Sequence, residues 1–210
     1  FYQGGFVFYY LQPGDIGYVT GQVNGLIAAP TNQSSGAEWG CYGTLIGTGT
    51  AIGTGSQNTD SILAGCSTPG IAAYICDTLT LGGYNDWFLP SKDELNKMYV
   101  NLHQQGLGSF ANNGYWSSSE FGGVNSNAFS NYAWKQNFYN GGQYGNDKTN
   151  YYNVRAVRAF SPSPCAHTDT LVLTINNSTS NSSTATACDS YTWSANSTTY
   201  TSSGTYTSTS

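Results

Sequence analysis

Charge is scarce in this 210-residue chain: only 8% of the residues are Asp, Glu, Lys or Arg. Six bases stand against eleven acids, a formal net charge of −5. A nucleic-acid partner needs dense Lys and Arg, so that class is excluded. No run of eighteen apolar residues occurs, so no bilayer-spanning helix is expected. Histidine is limited to His103 and His167, and no two cysteines form a C-x-x-C pair. A zinc site is therefore not expected. Neither histidine has a nucleophile or acid at motif spacing, so no Ser-His-Asp set is present. Gly47–Gly55 alternates Gly with Thr but lacks the lysine and the strand–helix frame of a phosphate loop. The neighbouring acids Asp93 and Glu94 fit a helix N-terminus. No catalytic residue, metal ligand or cofactor is called for, and no enzyme is expected.

What the chain does hold is Gly (26), Tyr (17) and long stretches of Ser, Thr and Asn. That composition suits an extracellular protein with many loops. It begins at Phe1 without a signal peptide, and is read as an internal piece of a longer secreted polypeptide with further domains on both sides. Five cysteines without metal spacing point to an oxidising compartment, the odd one pairing outside the segment. Cys41 with Cys66 is the expected disulfide, with Cys66–Cys76 as the alternative. Cys76 is then a buried thiol on a helix.

All six bases lie between Lys92 and Arg158; residues 1–91 carry five acids and none. Gly5–Leu11 and Gly25–Pro30 read as strands, and Trp39 as an anchor in a Gly/Thr-rich stretch. Asn58 or Thr59 is expected to cap a helix to about Gly65, and a second helix to run from about Gly70 to Leu79. Strands follow near 114–118, 132–139 and 151–160, with Asn140-Gly141 as a hairpin turn. Helices early and strands late give an α+β fold.

The clearest local signal is Asp86-Trp87-Phe88-Leu89-Pro90-Ser91-Lys92-Asp93-Glu94-Leu95. Ser91 and Glu94 make a capping box, and Leu95, Met98, Tyr99 and Leu102 give one apolar helix face to about Gln105. Tyr115-Trp116-Ser117-Ser118-Ser119-Glu120 and Tyr152–Phe160 follow in order. These three motifs resemble the C-terminal domain of Legionella collagen-like adhesins, over roughly residues 3–160. The resemblance implies a C-type-lectin-like domain, adhesive and glycan-binding, at residues 1–160. It also implies that the first and last strands pair, placing Phe6–Leu11 beside Val154–Phe160. The same fold hosts formylglycine-generating enzymes, but the cysteine pair those enzymes use is missing between Cys76 and Cys165.

Ser161-Pro162-Ser163-Pro164 reads as a linker. Of residues 161–210, 26 are Ser or Thr. Leu171–Ile175 reads as a strand, and Thr alternates with aromatics around Tyr191–Trp193, Thr199–Thr201 and Gly204–Thr207. Cys188–Trp193 with Gly204–Thr207 resembles a β-sandwich repeat of giant secreted proteins in gliding Bacteroidota. Residues 165–210 are thus expected to form part of an all-β stalk repeat. That resemblance also implies O-glycosylation at Asp60-Ser61-Ile62, Asp77-Thr78-Leu79 and Asp169-Thr170-Leu171.

The candidate ligand-binding residues are Ser119, Glu120, Trp134, Asn137, Tyr139 and Lys148, with Tyr144 beside them. Hydroxyls next to a ring can bond sugar hydroxyls while the ring covers an apolar sugar face. For Ser119 and Glu120 a scaffolding role is weighed equally; for Trp116 a core position is favoured. Arg155 and Arg158 are expected on opposite strand faces, one of them pairing with Glu120 or Asp147. Glu120, Asn125, Asn127 and Asp147 are the conceivable calcium ligands, but no calcium-lectin signature accompanies them. The expected function is a non-enzymatic adhesion module, extracellular or at the cell surface, that binds a glycan or polysaccharide. The alternative is a structural unit of a filament or stalk without ligand.

Overall fold

The computed structural model describes residues 1–66, 68–122, 130–161, 171–172, 184–185, 191–193 and 197–201. The chain divides into two units, Phe1–Ser161 and Pro162–Ser210.

The first unit is α+β. One sheet has three strands, β1 (Phe6–Tyr10), β2 (Gly25–Ala28) and, last in the unit, β8 (Val157–Phe160), in the order β1-β2-β8. Both pairings are antiparallel. The expected adjacency of first and last strands is corrected here. They share a sheet, but the short, fully buried β2 lies between them and takes the central place. β2 reads Gly-Leu-Ile-Ala, and Gly25 carries no Cβ because the Phe160 ring and the Tyr9 carbonyl occupy that space.

The second sheet has five strands: β3 (Ser34–Ala37), β4 (Gly114–Glu120), β5 (Tyr132–Asn137), β6 (Gln143–Asp147) and β7 (Tyr152–Val154). Their order is β3-β7-β4-β5-β6. β6 has no counterpart among the expected strands; its Gln-Tyr-Gly-Asn-Asp lacks β-branched residues, and pairing with β5 holds it in place. The Asn140-Gly141 turn is present, with Gly141 in the left-handed region at φ +77°.

Three helices pack on these sheets: α1 (Gly55–Gly65), α2 (Ala72–Asp77) and α3 (Lys92–Asn101). α1 begins earlier than expected, at Gly55, and its N-cap Thr54 makes no side-chain cap bond. Asn58 and Thr59 are buried inside it, and their polar groups serve tertiary contacts. α3 carries the capping box: Ser91 Oγ accepts from Glu94 N, and Glu94 Oε2 accepts from Ser91 N. It ends sooner than the apolar period suggests, and a 3₁₀ turn, His103–Gln105, finishes the segment.

Two apolar clusters fill the unit. Trp39, Trp87, Trp116, Ile62 and Leu89 anchor one. Phe8, Leu26, Leu95, Met98, Tyr115 and Phe138 anchor the other. Leu95 and Met98 are fully buried on α3, and truncating either to Ala costs about 2–5 kcal/mol. Cys41 and Cys66 form a disulfide, and Cys76 is a buried free thiol on α2, pushed up by burial first and Asp77 second. No helix among the described residues is long and apolar enough to cross a membrane.

In the second unit, β9 (Leu171–Val172) pairs with β10 (Thr184–Ala185), and β11 (Tyr191–Trp193) pairs with β12 (Thr198–Tyr200), all antiparallel. Trp193 is buried, and the Thr192 and Thr199 hydroxyls meet at 2.8 Å across the strands. Cys165, Cys188, the segment Gly204–Thr207 and the Asp169-Thr170 motif lie outside the described residues. Of the other two motifs, Ser61 lies within α1, with its hydroxyl donating to Gln57 O. Thr78 is exposed at the end of α2.

Candidate recognition surface and the buried network behind it

The two clearest sequence motifs converge on one loop, residues 44–54. Gly-rich and without secondary structure, this loop cannot satisfy its own backbone groups, so side chains from β4 and α3 do so. Glu120, at the end of β4, accepts from Ile46 N at 2.9 Å and Gly47 N at 2.6 Å. Its own N–H donates to Thr48 Oγ1. Ser119 Oγ donates to Gly49 O at 2.7 Å and accepts from Lys92 N. Asn58 bonds Gly49 at both its N–H and carbonyl, and donates to Ser118 Oγ. Ser91 Oγ donates to Ala51 O, and Glu94 Oε1 accepts from Gly53 N. Asp93 N donates to Thr50 O.

Lys148 completes this network. Its ammonium sits 2.5 Å from Glu120 Oε1, donates to Thr44 O at 2.9 Å, and lies 4.4 Å from the centre of the Trp39 ring. Both ionised side chains are fully buried. Burial holds Lys148 below its ordinary value, and the Glu120 carboxylate partly offsets that shift. Three of the expected ligand-binding residues are therefore interior. Ser119, Glu120 and Lys148 have no surface to offer a ligand: both faces of β4 are covered, and the backbone bond from Trp39 N to Lys148 O holds Lys148 against the interior. Trp116 is a core residue, with its indole N–H donating to Ala37 O.

Neither arginine pairs with Glu120 or Asp147. The strand is interrupted between Val154 and Val157, so strict alternation does not apply. Arg158 forms a bidentate pair with Asp86, holding the Asp86 carboxyl below its usual value mainly through that hydrogen bond. Arg155 is buried and donates to Asn32 Oδ1, Ala29 O and Gly108 O, over the Phe110 ring at 4.0 Å. Burial pulls it down to about 10. Asp147, the last residue of β6, accepts from Thr149 in the turn that follows. Glu120 has its oxygens committed to backbone and Lys148; Asn125 and Asn127 lie outside the described residues. Among the described residues, no three His, Cys, Asp or Glu side chains stand together as a metal would require.

The remaining candidates divide between two faces of the β5–β6 hairpin. Trp134 packs on Phe121, with ring centres 4.6 Å apart, and lies under Lys92. Asn137 lies an odd number of residues from Trp134 and so projects to the other face, where Lys135 Nζ donates to its Oδ1 at 2.9 Å. On that face Lys135 is cross-strand to Tyr144 and sits 4.4 Å from the Tyr152 ring centre. Lys135 and Tyr152 meet across β4 because Gly114 lies between them; a Cβ there would fall 2.6 Å from the Tyr152 ring. A stripe of Tyr152, Lys135 and Tyr144 thus crosses the sheet, with Asn137 at its edge. Tyr144 is 47% exposed, and Tyr139, in the hairpin turn, 78%. Lys135 is absent from the sequence-based set. Its period-2 relation to Asn137 and its pairing with Tyr144 were the signals available for it.

The chain belongs to the family described as the Lcl C-terminal domain, whose model matches residues 35–158, more than half of the chain. The matched span runs from β3 into β8 and contains the whole Glu120–Lys148 network. Comparison with curated proteins gave no match.

Proposed function

We propose that this chain is a non-enzymatic extracellular adhesion module of C-type-lectin-like type, which binds carbohydrate through the face made by Tyr144, Lys135, Asn137 and Tyr152. The observation that carries this reading is the stripe itself. Two tyrosine rings flank an ammonium, and an amide sits at hydrogen-bonding distance from it. Rings cover the apolar face of a sugar, while the ammonium and amide bond its hydroxyls or an acidic substituent. An extracellular setting is supported by the Cys41–Cys66 disulfide. The second unit, with its Thr-rich hairpin, acts as a piece of stalk. Many copies on a stalk let weak contacts, on the order of millimolar to micromolar, hold a surface.

One observation favours a structural unit without ligand: Ser119, Glu120 and Lys148, prominent in the sequence, are wholly spent inside. A glycan array probed with the 210-residue chain separates the two readings. Binding lost on Tyr144→Ala, with an unchanged melting temperature, supports the adhesin. Silence across a broad array from a folded protein supports the structural unit.

A further inference from the structure

A second site lies in the three-stranded sheet, apart from the β5–β6 face. A cavity of about 230 Å³ opens where the loop after β1, strand β2, the start of α1 and the start of α3 meet the end of β8. Its apolar wall is formed by Leu11, Leu26, Phe88 and Phe160. That volume equals roughly seven waters, enough for a single substituted ring.

The polar side chains on this cavity are Ser56 and Ser161 at its exposed rim and the buried Asn24 and Glu94, each of which presents an acceptor. Asn24 is more than nine-tenths buried; its Nδ2 donates to Gly17 O, and its Oδ1 has no donor in the protein. Glu94 is fully buried; its Oε1 accepts from Gly53 N and its Oε2 from Ser91 N, and the Gly55 backbone also bonds the carboxyl. The carboxyl group can accept again. A buried acceptor left unpaired is destabilising, and a ligand that donates to it recovers that cost. The capping box explains why residue 94 is Glu or Gln. It does not explain an unpartnered Asn24 oxygen in the same cavity.

We infer that this cavity binds a small apolar primary amine, its ring or alkyl body against Leu26, Phe88 and Phe160 and its ammonium donating to Asn24 Oδ1 and the Glu94 carboxylate. An ammonium supplies three donors and a charge that favours the ionised form of Glu94. A carboxylate ligand finds no donor at Asn24 Oδ1 and is opposed by the ionised Glu94, so it is rejected. A free amine or the amine-bearing end of a larger molecule presents the same chemistry.

Benzylamine, benzyl alcohol and benzoate, titrated separately into the 210-residue chain and followed by NMR of the cavity side chains, test this assignment. Saturable benzylamine shifts at Leu26 and Phe88 are expected, at least tenfold tighter than benzyl alcohol, with no benzoate binding. Asn24→Leu and Glu94→Gln should each weaken benzylamine at least tenfold. Asn24→Leu removes no charge and retains the apolar wall, so it keeps the test alive if Glu94→Gln does not fold. Absence of saturable benzylamine binding, benzyl alcohol or benzoate binding as tight as benzylamine, or unchanged affinity in a folded Asn24→Leu variant would overturn the assignment.

Discussion

Removing the charge of Glu120 alone should unsettle the whole loop at residues 44–54. In Glu120→Gln the Lys148 ammonium loses its counter-charge at 2.5 Å and stays buried with carbonyl partners, Thr44 O at 2.9 Å and Cys41 O at 3.4 Å. Stranding one charge of a fully buried pair costs about 3–5 kcal/mol. A unit of this size has roughly 5–15 kcal/mol in total, so the loss is a large share of it. At about 2–4 °C per kcal/mol, the melting temperature should fall by roughly 6–20 °C. The amide oxygen can still accept from Ile46 N or Gly47 N, so the effect belongs mainly to the ion pair. Glu120→Gln combined with Lys148→Met removes both charges, and should recover part of what the single change loses. Thermal melts and urea titrations of the four proteins give the coupling directly. A single-variant loss below about 1 kcal/mol, or a double variant worse than the sum of the singles, would refute the claim that this pair anchors the loop.

Glu94 gives a pH dependence of unusual sign. Burial first, opposed by bonds from Ser91, Gly53 and Gly55, raises its carboxyl from 4.5 to about 7. The folded state therefore keeps a proton that the unfolded chain has lost between those values. That stability is complete below about pH 4.5 and is lost as pH rises to 7, roughly 3 kcal/mol in all, and Glu94→Gln should flatten the slope in urea titrations across that window. Asp86 works the other way: its lowered value contributes stability that fades as pH falls below its ordinary 3.8. Reducing Cys41–Cys66, which closes 25 residues, should cost about 3 kcal/mol and be seen as a lower melting temperature with reductant. Arg155→Lys keeps the charge but loses the fork that holds Asn32, Ala29 and Gly108 together, and should cost about 2–3 kcal/mol by the same melts.

The sequence was most legible where the signals were local. The Ser91–Glu94 box, the apolar face of α3 and the Asn-Gly turn depend on residues a few positions apart, and each appears where its spacing placed it. Partners set by topology were harder to read. Glu120 and Lys148 are 28 residues apart, and nothing local tells that β4 and the turn after β6 bring them together inside. A polar triplet such as Ser117-Ser118-Ser119 looks like surface, yet it is buried, its hydroxyls bonding Trp134 O on β5, Asn58 on α1 and Gly49 O in loop 44–54 in turn. The order of the three-stranded sheet was missed for the same reason: whether β8 sits beside β1 or β2 is decided by packing, not by either strand's own residues.

The reading of this chain as a carbohydrate-binding module stands or falls on the β5–β6 face. The most direct measurement is an NMR titration of the 210-residue chain with a sugar selected from the array, following the rings of Tyr144 and Tyr152 and the side chain of Lys135. Saturable shifts confined to those three residues and Asn137, abolished by Tyr144→Ala and untouched by changes at Trp134 on the opposite face, are expected. Shifts centred on Trp134 and Phe121, or none while the fold is intact, would contradict it.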